Sequence, residues 1–146
     1  MMKLYIFKEV SARVPRQNIF NLFDKIMNKE TEPDADSRIN LVFTTKKRIQ
    51  QLNKSYRQID KATDVLSFNL GDSGGDDSVF GEIYISTAIA RVQALKFANT
   101  FGQELLRLTC HGLLHLLGYD HLKTNDAVKM QNREQYFLSK LKAGDR

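Results

Sequence analysis

The sequence predicts an α/β (α+β) fold, a small mixed four-stranded sheet packed with helices in the order β-α-β-α-β-β-α-α. Two observations lead to this prediction. Short segments with alternating apolar residues, typical of strands, are interspersed with longer segments whose apolar residues recur at helical spacing. The 146 residues are 42% hydrophobic and 27% charged, an ordinary globular composition without internal repeats. We therefore expect a single domain over residues 1–146.

The first half of the chain alternates between predicted strands and helices. Residues 3–8 form a short strand, and Pro15 suits the first turn of a helix that continues to about Lys29. Residues 39–44 alternate as in a second strand. Thr45 can then cap a short helix, because its hydroxyl can accept a hydrogen bond from the first helical turn.

Two further strands are predicted at residues 64–70 and 79–86. In the first of them Leu66, Phe68 and Leu70 lie on one face. The intervening GDSGGDDS is rich in glycine and acidic residues, which favours a long hairpin connection between the two strands.

Three helices are predicted after the fourth strand. Ser86 can cap the first, which runs to about residue 98. Thr100 and Gln103 have the spacing of a capping box, which opens a second helix through Leu117. A last helix covers roughly residues 125–142. The second helix carries an apolar side that we expect in the core, formed by Leu105, Leu106, Leu113, Leu116 and Leu117.

All three histidines of the chain lie within HGLLHLLGYDH, at positions 111, 115 and 121. His111 and His115 are four residues apart, so they share one face of a helix. Gly118 can end that helix and bring His121 back as a third ligand. Neutral imidazole suits zinc and its first-row neighbours, and three protein ligands leave one position open for water. We therefore predict one catalytic metal ion per chain, Zn²⁺ or another first-row transition metal, held by these histidines.

The spacing H-x-x-x-H-x-x-G-x-x-H matches the zinc site of the metzincin proteases, with one departure. Those enzymes have a glutamate directly after the first histidine as general base, whereas this chain has Gly112. Asp120 or Glu104 could substitute for that carboxylate. A metzincin-like metalloprotease therefore remains an alternative function.

Basic residues are concentrated in one segment. Residues 39–63, called the basic segment below, carry six lysines and arginines against Asp60 alone. Such a patch suits a polyanion such as RNA, but it is equally typical of a solvated helix face.

Membrane and secreted classes are not favoured. No stretch approaches the roughly 20 apolar residues of a membrane span, and the first residues lack a secretory signal pattern. Cys110 is the single cysteine, so no internal disulfide can form, which fits a reducing cytoplasm. We expect Cys110 to be a small core residue, because it points about 100° away from His111 around the helix.

HGLLHLLGYDH resembles the histidine motif of the bacterial YbeY family of endoribonucleases. LNKSYRQIDKATDVLSF is similar to a second block of that family, and FGEIYIS to a third. The three blocks run in family order from about residue 50 to residue 121. Ala62 and Asn69 stand where the family often has proline, and Leu122 where it is often acidic.

The resemblance implies a metal-dependent, single-strand-specific endoribonuclease that matures the 3′ end of 16S ribosomal RNA and acts in ribosome quality control. His111, His115 and His121 would be the metal ligands, and Arg57 the functionally important arginine beside them. We predict Arg57 and His115 as catalytic residues. The implied partners are single-stranded ribosomal RNA, the small ribosomal subunit and assembly factors, in the cytoplasm. A non-catalytic ribosome assembly factor with a structural metal and a small-molecule amidohydrolase remain further alternatives.

Overall fold

The computed structural model describes residues 2–30, 36–71, 78–120 and 122–141. In these ranges two strand–helix pairs are followed by two consecutive strands and then by three consecutive helices. These ranges contain β1 (Lys3–Lys8), α1 (Arg16–Glu30), β2 (Arg38–Thr44), α2 (Lys46–Arg57), β3 (Val65–Asn69), β4 (Val79–Ser86), α3 (Thr87–Lys96), α4 (Phe101–Leu116) and α5 (Thr124–Ser139). The predicted order is confirmed. Three helices follow β4. The order β-α-β-α-β-β-α-α lists only two helices at this point, but each of the three was predicted from its own segment of the sequence. None of the helices in these ranges has the length and apolar character needed to cross a membrane.

The four strands form one mixed sheet in the order β1-β2-β4-β3. Strand β2 pairs in parallel with both β1 and β4, and β3 pairs antiparallel with β4. The predicted mixed four-stranded sheet is therefore confirmed. Most of the predicted hairpin connection, residues 72–77, lies outside the described residues. Leu70 was predicted on the apolar face of β3, but it follows the end of the strand and is 55% exposed.

Strand β2 is buried on both faces, which its alternating sequence did not predict. A central parallel strand covered by helices on both sides loses the alternation of a half-exposed strand. On one face, Val42 packs with Ile49 and Leu52 of α2 in a small cluster. The other face belongs to the main core beneath α1, α4 and α5, to which β2 contributes Ile39, Leu41 and Phe43.

Helix α4 is defined at both ends by the predicted signals. The Thr100 hydroxyl accepts from the Gln103 amide, and the Gln103 side chain accepts from the Thr100 amide, so the capping box is confirmed. At the other end, Gly118 has φ +104° and the Tyr119 amide donates to the Leu114 carbonyl, a glycine-terminated helix end. The predicted apolar side faces the core, with Leu105, Leu106, Leu113 and Leu116 buried and Leu117 partly buried.

Leu113→Ala is expected to destabilise the protein by about 2–5 kcal/mol, because truncating this fully buried side chain leaves a cavity in the main core. Chemical denaturation of both proteins measures the difference. A negligible shift of the midpoint would mean that this face of α4 is not packed as described.

Candidate metal site and nucleic-acid cleft

One cleft, about 380 Å³ in volume, gathers three of the four residues predicted to be functional. Arg57 reaches it from the last turn of α2, and His111 and His115 reach it from α4. Strand β3 and the loop before it form the rest of the wall, including Asp64 and Ser67. The fold therefore brings the histidine motif and Arg57 of the basic segment into one cleft, although they are far apart in the sequence.

His111 and His115 lie one turn apart on α4, and their Nε2 atoms are 3.1 Å from each other. Their rings meet edge to face at a centroid distance of 4.6 Å. Two ring nitrogens at this separation share a proton or a cation, since two facing lone pairs would repel. Nitrogens bound to one tetrahedral zinc ion at about 2.0–2.1 Å lie roughly 3.3 Å apart. The observed pair therefore fits two ligands of one ion.

The third predicted ligand, His121, lies outside the described residues. Within the ranges that are described, no three His, Cys, Asp or Glu side chains form a group able to hold a metal ion. Gly118 does end α4 as predicted, with its φ of +104°. The three-histidine site therefore stays a prediction, of which the His111–His115 pair is the described part.

Glu134 on α5 contacts His111 of the histidine pair, and it was not predicted from the sequence. Its Oε1 accepts a hydrogen bond from Nδ1 of His111, the ring nitrogen that faces away from His115. The side chain of Glu134 is only 14% exposed. One signal could have found it: Glu134 lies on the same helical stripe as the buried Met130 and Phe137. A carboxylate within an apolar stripe needs a polar partner.

The two carboxylates predicted as substitutes for a general base have other roles. Glu104 is fully buried, and its two oxygens accept from Nε and Nη2 of Arg107 at 2.9 and 2.6 Å. That hydrogen-bonded pairing raises the pKa of the Arg107 guanidinium. Asp120 Oδ1 accepts from the Leu122 amide at 3.1 Å, which organises the turn after α4. The wall of the cleft includes neither of these carboxylates.

Gly112, between the two histidines, lies against the sheet. A Cβ built on it would stand 2.7 Å from Cγ2 of Ile83 and 3.1 Å from Oγ of Ser67. The Ser67 hydroxyl donates to the Gly112 carbonyl at 3.2 Å, which holds the helix and strand together. A larger residue here would point into β3 and β4, away from the cleft. The departure from the metzincin motif therefore has a packing cause.

Gly112→Ala is expected to destabilise the protein by roughly 1–2 kcal/mol. The substitution gains up to about 1 kcal/mol of helix propensity, but overpacking costs about 1–3 kcal/mol, and the buried, β-branched Ile83 cannot easily move. Gly102→Ala on the same helix is the matched control, because its Cβ would meet nothing closer than 3.9 Å. Denaturation midpoints compare the two. If Gly112→Ala were as stable as wild type or more stable, the close approach of Gly112 to Ile83 and Ser67 would be contradicted.

Arg57 is held at the wall of the cleft by β3. Its Nη2 donates to the Ser67 carbonyl at 2.8 Å, and its guanidinium carbon lies 5.4 Å from the centroid of the Phe68 ring. Stacking on an aromatic face and a fixed hydrogen bond restrict the long side chain to one orientation. Arg57 is exposed, as are the other five basic residues of the basic segment, Lys46, Lys47, Arg48, Lys54 and Lys61, so its two contacts with β3 and not its burial set it apart.

Cys110 is a core residue, as predicted. Its side chain is fully buried, and burial raises the pKa of the thiol far above its ordinary value. Cys110 is not among the residues that line the cleft, which is consistent with this core position.

Comparison with known proteins assigns the chain over nearly its whole length. The family model described as "YbeY: Endoribonuclease YbeY" matches residues 5–142. The chain belongs to this family. The resemblance predicted from the three sequence blocks is thereby confirmed.

Individual members of the YbeY family are similar along most of the chain. The Endoribonuclease YbeY of Desulforamulus reducens is 36% identical over 134 residues, which covers 86% of this chain and 88% of that protein. The Endoribonuclease YbeY of Staphylococcus carnosus is 38% identical over 128 residues, 84% and 83% of the two chains. The solution structure of TM1509 from Thermotoga maritima, at 31% identity, has a TM-score of 0.62 and covers 93% and 87%.

Asn69, at the end of β3, has a structural role in this wall of the cleft. Its Nδ2 donates to the Leu116 carbonyl at 3.0 Å, and its Oδ1 accepts from the Gly71 amide at 2.9 Å. The side chain thus satisfies a carbonyl in the last turn of α4, directly beside the histidine pair.

Proposed function

We propose that the cleft is the active site of a zinc-dependent endoribonuclease that cuts single-stranded ribosomal RNA. Membership of the YbeY family supports an endoribonuclease of ribosomal RNA maturation, which is a nuclease hydrolase, and does not favour the alternatives. The observation that carries the metal-dependent part is the 3.1 Å separation of the His111 and His115 Nε2 atoms in the cleft that also contains Arg57.

His111 and His115, with His121, would hold the metal ion. Imidazole nitrogens suit zinc best among the common biological cations, and another first-row transition metal would fit the same ligands. When bound, the ion would supply Lewis-acid chemistry at a phosphoryl oxygen and lower the pKa of a water molecule.

Arg57 would bind the scissile phosphate. Its planar guanidinium can donate two parallel hydrogen bonds to phosphate oxygens and stabilise the charge that develops on them during cleavage. The bond to Ser67 and the contact with Phe68 already order the side chain, so less conformational entropy is lost when RNA binds. Arg57 is therefore the residue of this chain best suited to act on the reacting group.

Exposed aromatic surface beside Arg57 favours single-stranded RNA. The Tyr56 ring packs on Phe68 with 5.4 Å between centroids, yet Tyr56 remains 68% exposed. Unpaired bases can stack on such a ring, whereas bases in a duplex are already stacked on each other. The exposed lysines and arginines of the basic segment would attract the phosphate backbone on either side.

The small ribosomal subunit and its assembly factors are the proposed partners, and the cytoplasm the proposed compartment. A nuclease of ribosomal RNA must meet its substrate within assembling particles, and the basic segment suits their polyanionic surface. The lone, buried Cys110 is compatible with reducing surroundings.

Peptide hydrolysis is the weaker proposal for this site. Gly112 has no side chain and packs on the sheet, and Glu104 is paired with Arg107 inside the core. A non-catalytic assembly factor would require the basic segment. That function does not explain why Arg57 is held beside the histidine pair in the cleft.

The proposal is tested by incubating the zinc-loaded protein with labelled single-stranded RNA, the same sequence as a duplex, and casein, each with and without a chelator. We expect chelator-sensitive cleavage of the single strand, slower cleavage of the duplex and no cleavage of casein. Degradation of casein with intact RNA would overturn the proposal in favour of the protease. Intact RNA and casein together would favour the assembly factor.

A further inference from the structure

We propose that Glu134 is a positioning residue that fixes the ring of His111 with Nε2 directed at His115. This inference rests on the metal site of the proposed function, and it extends that site to a helix outside the histidine motif. Glu134 lies on α5, and the two residues are 23 positions apart in the chain.

The chemistry of the hydrogen bond sets the direction of the His111 ring. An ionised carboxylate can only accept, so Nδ1 of His111 must carry the proton that it donates to Glu134. A neutral imidazole with its proton on Nδ1 has its free lone pair on Nε2. That Nε2 atom is the one 3.1 Å from Nε2 of His115. Glu134 therefore selects the tautomer that presents a metal-binding lone pair to the cleft.

The packing of α5 holds the Glu134 carboxylate in place. Met130 and Phe137, one turn away on either side, are buried against the main core. The neighbouring Arg133 forms an ion pair with Glu30 of α1 and lies over the Phe137 ring at 4.9 Å. These contacts attach α5 to the core and to α1, so the backbone that carries Glu134 is held in place beside His111.

A nearby positive charge offsets part of the cost of burying the carboxylate. The side chain of Glu134 is 14% exposed, so it has lost most of its contact with water. The hydrogen bonds to Glu104 are the main cause of the raised pKa of Arg107, and the negative charge of Glu134 adds a smaller effect, so the two side chains lie within electrostatic range. Arg107 is itself anchored by the buried Glu104.

The test compares wild type with Glu134→Gln and Glu134→Ala, and with Gln131→Ala as an exposed control on the same helix. Nitrogen NMR of the metal-free proteins under mildly alkaline conditions reports which ring nitrogen of His111 carries the proton. Competition with a chromophoric chelator reports zinc affinity. We expect Glu134→Ala to lose the preference for the Nδ1 proton and to bind zinc about 10–100-fold more weakly. Glu134→Gln keeps an acceptor oxygen without the charge, so it should fall between wild type and Glu134→Ala.

A residue that only stabilises the fold would lower the melting temperature without moving the tautomer or the zinc affinity of the folded protein. An unchanged tautomer in Glu134→Ala would therefore overturn the positioning role. If wild type bound no zinc, the proposed function would fail, and the NMR comparison alone would decide the role of Glu134.

Discussion

Replacing His115 by alanine is expected to empty the metal site and stop RNA cleavage. Loss of a residue that only hydrogen-bonds to a metal ligand typically weakens metal binding by roughly 10–100-fold. Removing one of the three ligands themselves should weaken zinc binding by more than this. The side chain of His115 is partly exposed at the cleft and outside the hydrophobic core, so the variant should keep its fold. The same result is expected for His111→Ala and His121→Ala.

Elemental analysis of purified wild type and of each histidine variant gives the number of metal ions per chain, and circular dichroism confirms the fold. The expected values are one ion for wild type and for the Gln131→Ala control, and close to none for the histidine variants. Full metal content in all three histidine variants would exclude these residues as the ligands.

Arg57→Ala should reduce the rate of the chemical step by about 10²–10³-fold, the usual effect of removing one donor to developing negative charge. Metal content should not change, because Arg57 contacts Ser67 and Phe68 and is not among the predicted ligands. Arg57→Lys should also remain slow, since lysine keeps the charge but loses the planar pair of donors. Single-turnover cleavage at saturating RNA separates this effect from binding.

The double replacement of Lys46 and Lys47 by alanine is the control for Arg57. Both lysines are exposed in the first turn of α2, at the opposite end of that helix from Arg57. The double variant should bind RNA more weakly, with a flatter salt dependence, and cleave bound RNA at the wild-type rate. If Arg57→Ala cleaved bound RNA at the wild-type rate, Arg57 would have no catalytic role and would only contribute to the charge of the basic segment.

Local signals predicted the elements that carry the site. The capping box of Thr100 and Gln103, the leucines of α4 and the glycine at 118 lie within a few residues of one another, so local spacing was sufficient to predict this helix and its ends. The burial of β2 on both faces depends instead on helices that pack against each side of the sheet. The alternation of residues within the strand carries no information about those helices.

Contacts between distant segments could not be predicted in the same way. The close approach of Gly112 to Ile83 and Ser67 depends on how α4 lies across the sheet. From the sequence, Gly112 could be recognised only as a difference from the metzincin motif, and its packing role could not be predicted. Glu134 meets His111 because α5 packs on α4, and no spacing rule joins a histidine to a glutamate on the following helix. The family blocks led to the prediction that Arg57 is functional, but its contacts with Ser67 and Phe68 required the structure.

The metal dependence of cleavage is tested by single-turnover reactions of one end-labelled single-stranded RNA with metal-free and with zinc-restored protein. We expect no cleavage after the metal is stripped, and recovery of the original rate when about one equivalent of zinc per chain is returned. Cleavage at the full rate by protein shown to be free of metal would contradict the metal dependence.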